Sequence, residues 1–153
     1  MVNIIINRIT RRDPDFIIGS EENPYLLRWF VIPRNPIFNV YLHRIIRSDE
    51  DRALHDHPWS NISILLRGRY VEHTINSGGI HVKTERIAGQ WKIRPLGSYA
   101  HRLEIIDGDC WTLFITGFRY RQWGFHCVES GWVHWKDFTA EGQPGQIGKG
   151  CND

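Results

Sequence analysis

No stretch of the 153 residues approaches the roughly 20 consecutive apolar residues that a membrane-spanning helix needs, so no membrane partner is expected. The amino-terminal apolar run, Ile4 to Ile6, is too short for a secretory signal and is followed by Arg11, Arg12 and Asp13. Cysteine is scarce. Cys110, Cys127 and Cys151 form an odd set without CxxC spacing, which indicates neither a disulfide framework nor a zinc knuckle and predicts a reducing, cytoplasmic setting. Charge of one sign is lacking as well, for the formal net charge is +2 and no basic cluster is present. Nucleic acid is therefore not an expected partner. Repeats, heptads and any helix longer than a turn or two are also missing.

What the chain does have is length for one domain with its own core, seven tryptophans, and arginine (15) far in excess of lysine (4). Arginine is the planar, bidentate residue suited to carboxylate or phosphate. Together these fit a pocket for a small anion.

Residues 1–27 carry Pro14, Gly19, Asn23 and Pro24 around short apolar pieces and read as an arm wrapping the domain. From Arg28 to Phe138 the chain reads as strands separated by turn signals. Trp29 to Ile32 is aromatic and β-branched and stops at Pro33; Ile37 to Arg47 is apolar on both parities; Ile62 to Leu66 closes at Gly68. Asn76-Ser77-Gly78-Gly79 predicts a hairpin between Tyr70 to Ile75 and Ile80 to Ile87, and Asp107-Gly108-Asp109 predicts another. A last pair, Trp123 to Val128 and Trp132 to Phe138, turns at Glu129-Ser130-Gly131. Residues 139–153 hold Gly142, Pro144, Gly145, Gly148 and Gly150 with little to bury, and a mobile tail is expected there. The fold class is thus all-β, a sandwich or barrel.

Within this frame, Leu54-His55-Asp56-His57-Pro58-Trp59 places two imidazoles on one face of an extended chain. Pro95-Leu96-Gly97-Ser98-Tyr99-Ala100-His101 brings a third to the mouth of a strand, Arg102 to Ile106. Three converging histidines make a metal site. His43, on a neighbouring strand, is a weaker fourth contact. His126 and His134 lie among aromatic residues and read as packed core histidines, and His73 and His81 as solvated ones.

The spacing resembles that of the cupins, whose first motif is Gly, five residues, His-x-His, three or four residues, Glu, six residues, Gly. Here it reads His55-x-His57, three residues, Asn61, six residues, Gly68. Their second motif, Gly, five residues, Pro-x-Gly, two residues, His, three residues, Asn, reads Gly89, five residues, Pro95-Leu96-Gly97, three residues, His101. The opening glycine falls on Asp49, the glutamate on Asn61 and the closing asparagine on Ile105. The resemblance covers about the middle third of the chain. It implies a double-stranded β-helix, or jelly-roll barrel, over residues 28–138, with His55, His57 and His101 holding a divalent metal. Fe(II) is the first expectation, with Zn, Ni or Mn as alternatives, and a homodimer is implied too.

A three-histidine cupin looks like the thiol dioxygenases, which oxidise a small thiol to its sulfinate and use an arginine for the substrate carboxylate. Arg67, Arg69, Arg94 and Arg102 are candidates, with Arg67 and Arg69 preferred because they share the parity of His55 and His57. Asn61, Tyr41 and His43 are further substrate-binding candidates. Two alternatives stay open: a cupin that binds metal or a small ligand without turnover, and a metal-free sugar-nucleotide epimerase with His101 beside Tyr41 or Tyr99.

Overall fold

The computed structural model describes residues 2–49 and 53–151. Its first sheet has six strands in the order β1 (Phe16–Gly19), β2 (Pro24–Phe30), β3 (Asn39–Ile45), β10 (Cys110–Thr116), β5 (Asn61–Arg67) and β8 (Trp91–Arg94), with all neighbours antiparallel. The opposing face consists of two three-stranded pieces: β7 (Ile80–Ile87), β6 (Arg69–Asn76) and β9 (Arg102–Ile105), and β12 (Gly131–His134), β11 (Gly124–Cys127) and β4 (Leu54–His55). An antiparallel bridge between His55 and His101, with both N–H···O bonds at 2.9 Å, joins the two pieces. Two antiparallel sheets facing each other make the expected jelly-roll barrel.

Alternation decides what each strand buries. On β3 and β10 one parity, Tyr41, His43, Ile45, Thr112 and Phe114, turns into the barrel. The other parity, Leu42 with Trp111 and with Trp29 of β2, packs outward under an amphipathic helix α1 (Val2–Ile9), which sets Ile6 and Ile9 against it. That helix was not expected from Ile4 to Ile6, whose β-branched run looks strand-like. The segment read as a wrapping arm thus supplies this helix, the edge strand β1 and the start of β2.

The Asn76–Gly79 hairpin forms as expected, with Gly78 and Gly79 at positive φ. The turn at Asp107–Asp109 does not make a hairpin, because β9 pairs with β6 while β10 pairs with β3 and β5. It is a corner that carries the chain from one face of the barrel to the other. Gly68, at φ 89°, makes a similar corner between β5 and β6. Strand β8, unmarked in the sequence reading, closes an edge against β5. The expected last strand ends early, and Trp135–Phe138 forms a one-turn helix, α2.

Residues 139–151, read from sequence as a mobile tail, form a hairpin of β13 (Thr139–Ala140) and β14 (Gln143–Ile147) that returns to β1. Gly145 lies so close to β1 that a Cβ there would fall 2.2 Å from the Gly19 nitrogen. The return brings Cys151 to Cys127 at the end of β11, and the two form a disulfide. This corrects the reading of the cysteines; only Cys110 is free, and it is buried. Cysteine usage therefore no longer indicates a reducing compartment. Among the described residues no helix is long and apolar enough to cross a membrane. Of the charged loop 48–53, residues 50–52 lie outside the described residues.

Candidate metal centre

The short strand β4 ends on His55, and the chain stays extended through His57 because both sides of it are bonded. His55 exchanges two backbone bonds with His101, Asp56 N donates to Gly124 O at 3.0 Å, and His57 N donates to Gly97 O at 2.8 Å. Alternation then sends His55 and His57 into the barrel and Asp56 out of it. Asp56, with no exposed surface, accepts from Gly124 N (2.8 Å), Arg121 NH1 (2.9 Å), His126 Nε2 (3.1 Å) and Trp132 Nε1 (3.1 Å). Burial alone would raise its pKa; His126, the Gly124 amide and Arg121 together hold it below the usual carboxylate value. The residue between the two histidines is thus the clamp that fixes them.

One ligand nitrogen from each of His55, His57 and His101 falls within 4.8 Å of the others. His57 Nε2 and His101 Nε2 are 3.0 Å apart. Two donors about 2.1 Å from one ion and at right angles to each other would be about 3.0 Å apart. The residues therefore fit adjacent ligand positions on a divalent ion.

Proton placement supports the same use. Glu72 of β6, fully buried, has Oε1 3.1 Å from His101 Nδ1. With Nδ1–H donated to Glu72, Nε2 keeps its lone pair toward the other two rings. Glu72 stays ionised: burial, which opposes ionisation, is overcome by His101, Arg94 and Lys92, and its pKa is lowered. Burial, then Arg94, pushes His101 down to about 3, and burial with the neighbouring histidines takes His57 well below its ordinary value. Both imidazoles are neutral near pH 7, the protonation state that ligation requires.

Above the histidines lies a cavity of about 360 Å³. Arg28 of β2, which the sequence reading did not single out, lines it. Its Nε donates to His43 Nε2 at 2.8 Å, its guanidinium carbon stands 4.7 Å from the Tyr41 ring centre, and among the described residues no carboxylate pairs with it. Burial lowers its pKa to about 10, so it is charged at neutral pH. An arginine on the buried parity of an apolar strand, between Leu26 and Phe30, was the signal available in the sequence.

The other candidates are dispersed. His43 is buried and lines the cavity but is bonded to Arg28 and is not one of the three clustered ligands. Burial, then Arg28, holds it neutral. Tyr41 lies beneath Arg28, stacked on His43. Asn61 is buried away from the cavity and accepts from Arg94 NH1 at 3.2 Å; Arg94, which does line the cavity, is paired with Glu72. Arg67 and Arg69 do not line it: Arg67 reaches Asp109 at 3.5 Å, and Arg69 Nε reaches Asp107 at 2.9 Å, because the corner at Gly68 interrupts the alternation. Arg102 contacts His73 instead. His73 is buried rather than solvated, 2.7 Å from Glu104 and 2.9 Å from His81, whereas His126 is 42% exposed and His134 caps α2 at the surface. His101 has His57, Glu72 and Arg94 as side-chain partners, and neither Tyr41 nor Tyr99 is among them.

No protein-family model and no curated protein matches the chain. Solved structures do. The oxalate decarboxylase of Bacillus subtilis, a protein with Mn(II) centres, is similar with a TM-score of 0.54 at 17% identity, over 77% of this chain and 31% of that one. The Fe(II) form of HppE is similar with a TM-score of 0.51 at 12% identity, over 69% of this chain and 58% of that one. Both are cupin-fold metal enzymes, and this chain spans less than two thirds of either. The chain has the cupin fold, and His55, His57 and His101 converge within it.

Proposed function

We propose that this protein is a metal-dependent cupin that binds a small organic anion beside a divalent ion held by His55, His57 and His101, and that it oxidises that anion with dioxygen. The observation that carries the reading is Arg28, a half-buried guanidinium without a carboxylate partner among the described residues, in the same cavity as His55, His57 and His101. A divalent ion ligated only by neutral groups keeps its full charge, and Arg28 adds another. An anion offsets both.

The ion would be held by His55, His57 and His101, with Glu72 fixing the His101 ring and Asp56 fixing the strand. When bound, Fe(II) supplies open coordination positions at which dioxygen and a substrate donor can meet. The chain's own residues do the rest. Arg28 orients the anion, His43 keeps Arg28 in place, and the aromatic walls exclude water. An all-imidazole donor set would suit iron, with zinc or nickel as alternatives.

Anaerobic loading followed by metal analysis tests the ligand set. Wild type is expected to hold about one equivalent of Fe(II), and His101→Ala to lose at least about tenfold in affinity. Oxygen uptake is then measured against thiols and carboxylates. Full metal retention in His101→Ala would remove the proposed centre, whereas metal binding without oxygen uptake with any of these anions would leave a binding protein.

A further inference from the structure

The cavity is more than an anion site, and its shape toward the carboxyl-terminal end of the chain sets what the anion is attached to. A continuous series of ring contacts runs through it. Arg28 is bonded to His43, His43 stacks on Phe114 at 5.2 Å, and Phe114 meets His57 at 6.0 Å. On the other side of the histidines, His55 meets Phe125 at 6.2 Å, and Phe125 stacks on Phe138 at 3.7 Å and meets Trp123 at 5.7 Å. Trp123 in turn lies nearly parallel to Trp135 at 5.6 Å. These contacts link the three ligands to Arg28 through His43 and Phe114, and to Phe138 and Trp123 through Phe125.

Resting on the proposed metal-and-anion reading, we infer that the site takes a monocarboxylate with a ring-sized apolar body, its carboxylate on Arg28 and its body against Phe125, Phe138 and Trp123. The available volume, about 360 Å³, corresponds to about a dozen water-sized groups at about 30 Å³ each. A three-carbon thiol or acid would leave most of that space to water held against apolar rings. A planar ring fills it and offers its faces and edges to the wall in the offset and edge-on geometries that aromatic groups prefer. Of the arginines that line the cavity, Arg94 is paired with Glu72 and Arg47 reaches the Asn23 carbonyl and the Tyr25 ring, whereas Arg28 has no carboxylate partner among the described residues. Arg28 therefore calls for one negative charge on the ligand, and the aromatic residues for an apolar body.

The test varies the ligand rather than the fold. Binding of 3-phenylpropanoate, propanoate and the neutral 3-phenylpropan-1-ol is followed by titration calorimetry, in metal-free protein under chelator and in protein loaded with Fe(II) without oxygen. The expected result is a Kd for 3-phenylpropanoate at least about tenfold below that of either comparator in both states. Arg28→Gln should remove the advantage over the alcohol and keep the advantage of the acid over propanoate. Equal affinity for propanoate and 3-phenylpropanoate in both states would overturn the inference even if metal binds stoichiometrically. Preference for the aryl acid in a protein that takes up no metal would instead support this assignment and sink the metal reading, so the two failures are distinguishable.

Discussion

Asp56 and His43 show how single buried groups set the behaviour of the centre. Asp56 is satisfied four times over and holds two ligands without touching the space they share. His43 is different: burial, then Arg28, holds its pKa well below the ordinary value. A histidine with a folded pKa below its unfolded value of about 6.5 gives stability that is complete above that value and is lost as pH falls toward the folded pKa. Unfolding free energy of the metal-free protein should therefore decline below about pH 6.5. His57 and His101 contribute in the same direction. His43→Gln keeps an acceptor for Arg28 and removes one titrating group, so its decline between about pH 6.5 and 5 should be shallower by up to one proton's slope. Identical urea-melt profiles for the two proteins across that range would show that His43 is not held neutral.

At the scale of elements, the site depends on how closely two loops approach. Gly97 does not have positive φ; it is small because a Cβ would stand 2.2 Å from the His57 carbonyl oxygen. Gly97→Ala should push the His57 strand away, cost about 1–3 kcal/mol, and weaken metal uptake. By contrast Gly89→Ala has open space around it and should affect stability through its φ of 94° while leaving the metal site intact. Calorimetric melting with metal titration on both variants separates the two effects. The His-x-His and Pro-x-Gly spacings were legible in sequence because extended chain and tight approach leave local marks. Strand partners were not, since Asp107-Gly108-Asp109 looks the same whether the chain turns back on itself or crosses to another sheet. Glu72 and Arg28 were missed for a related reason: each is a charged residue on a buried parity, whose partners lie on strands far away in sequence.

For the molecule as a whole, the carboxyl-terminal hairpin supplies part of the cavity wall. Gly145, Gln146 and Ile147 line it together with Phe16 and Ile18 near the other end of the chain. The Cys127–Cys151 disulfide spans 24 residues and is worth about 3 kcal/mol by loop closure. Cys151→Ser should lose about that much in denaturant melts, become insensitive to reducing agent, and keep its metal stoichiometry. A mutant as stable as wild type would show that pairing at the barrel edge alone holds the hairpin. There is also a consequence for the order of events in synthesis. A chain leaving the ribosome has all three histidines once residue 101 has emerged, yet it lacks the wall formed by residues 145–147 until after the strands that pair with them. Gly124, His126 and Trp132, which hold Asp56 between the two histidines, also precede residues 145–147, so the three imidazoles are positioned before the last part of the chamber wall exists.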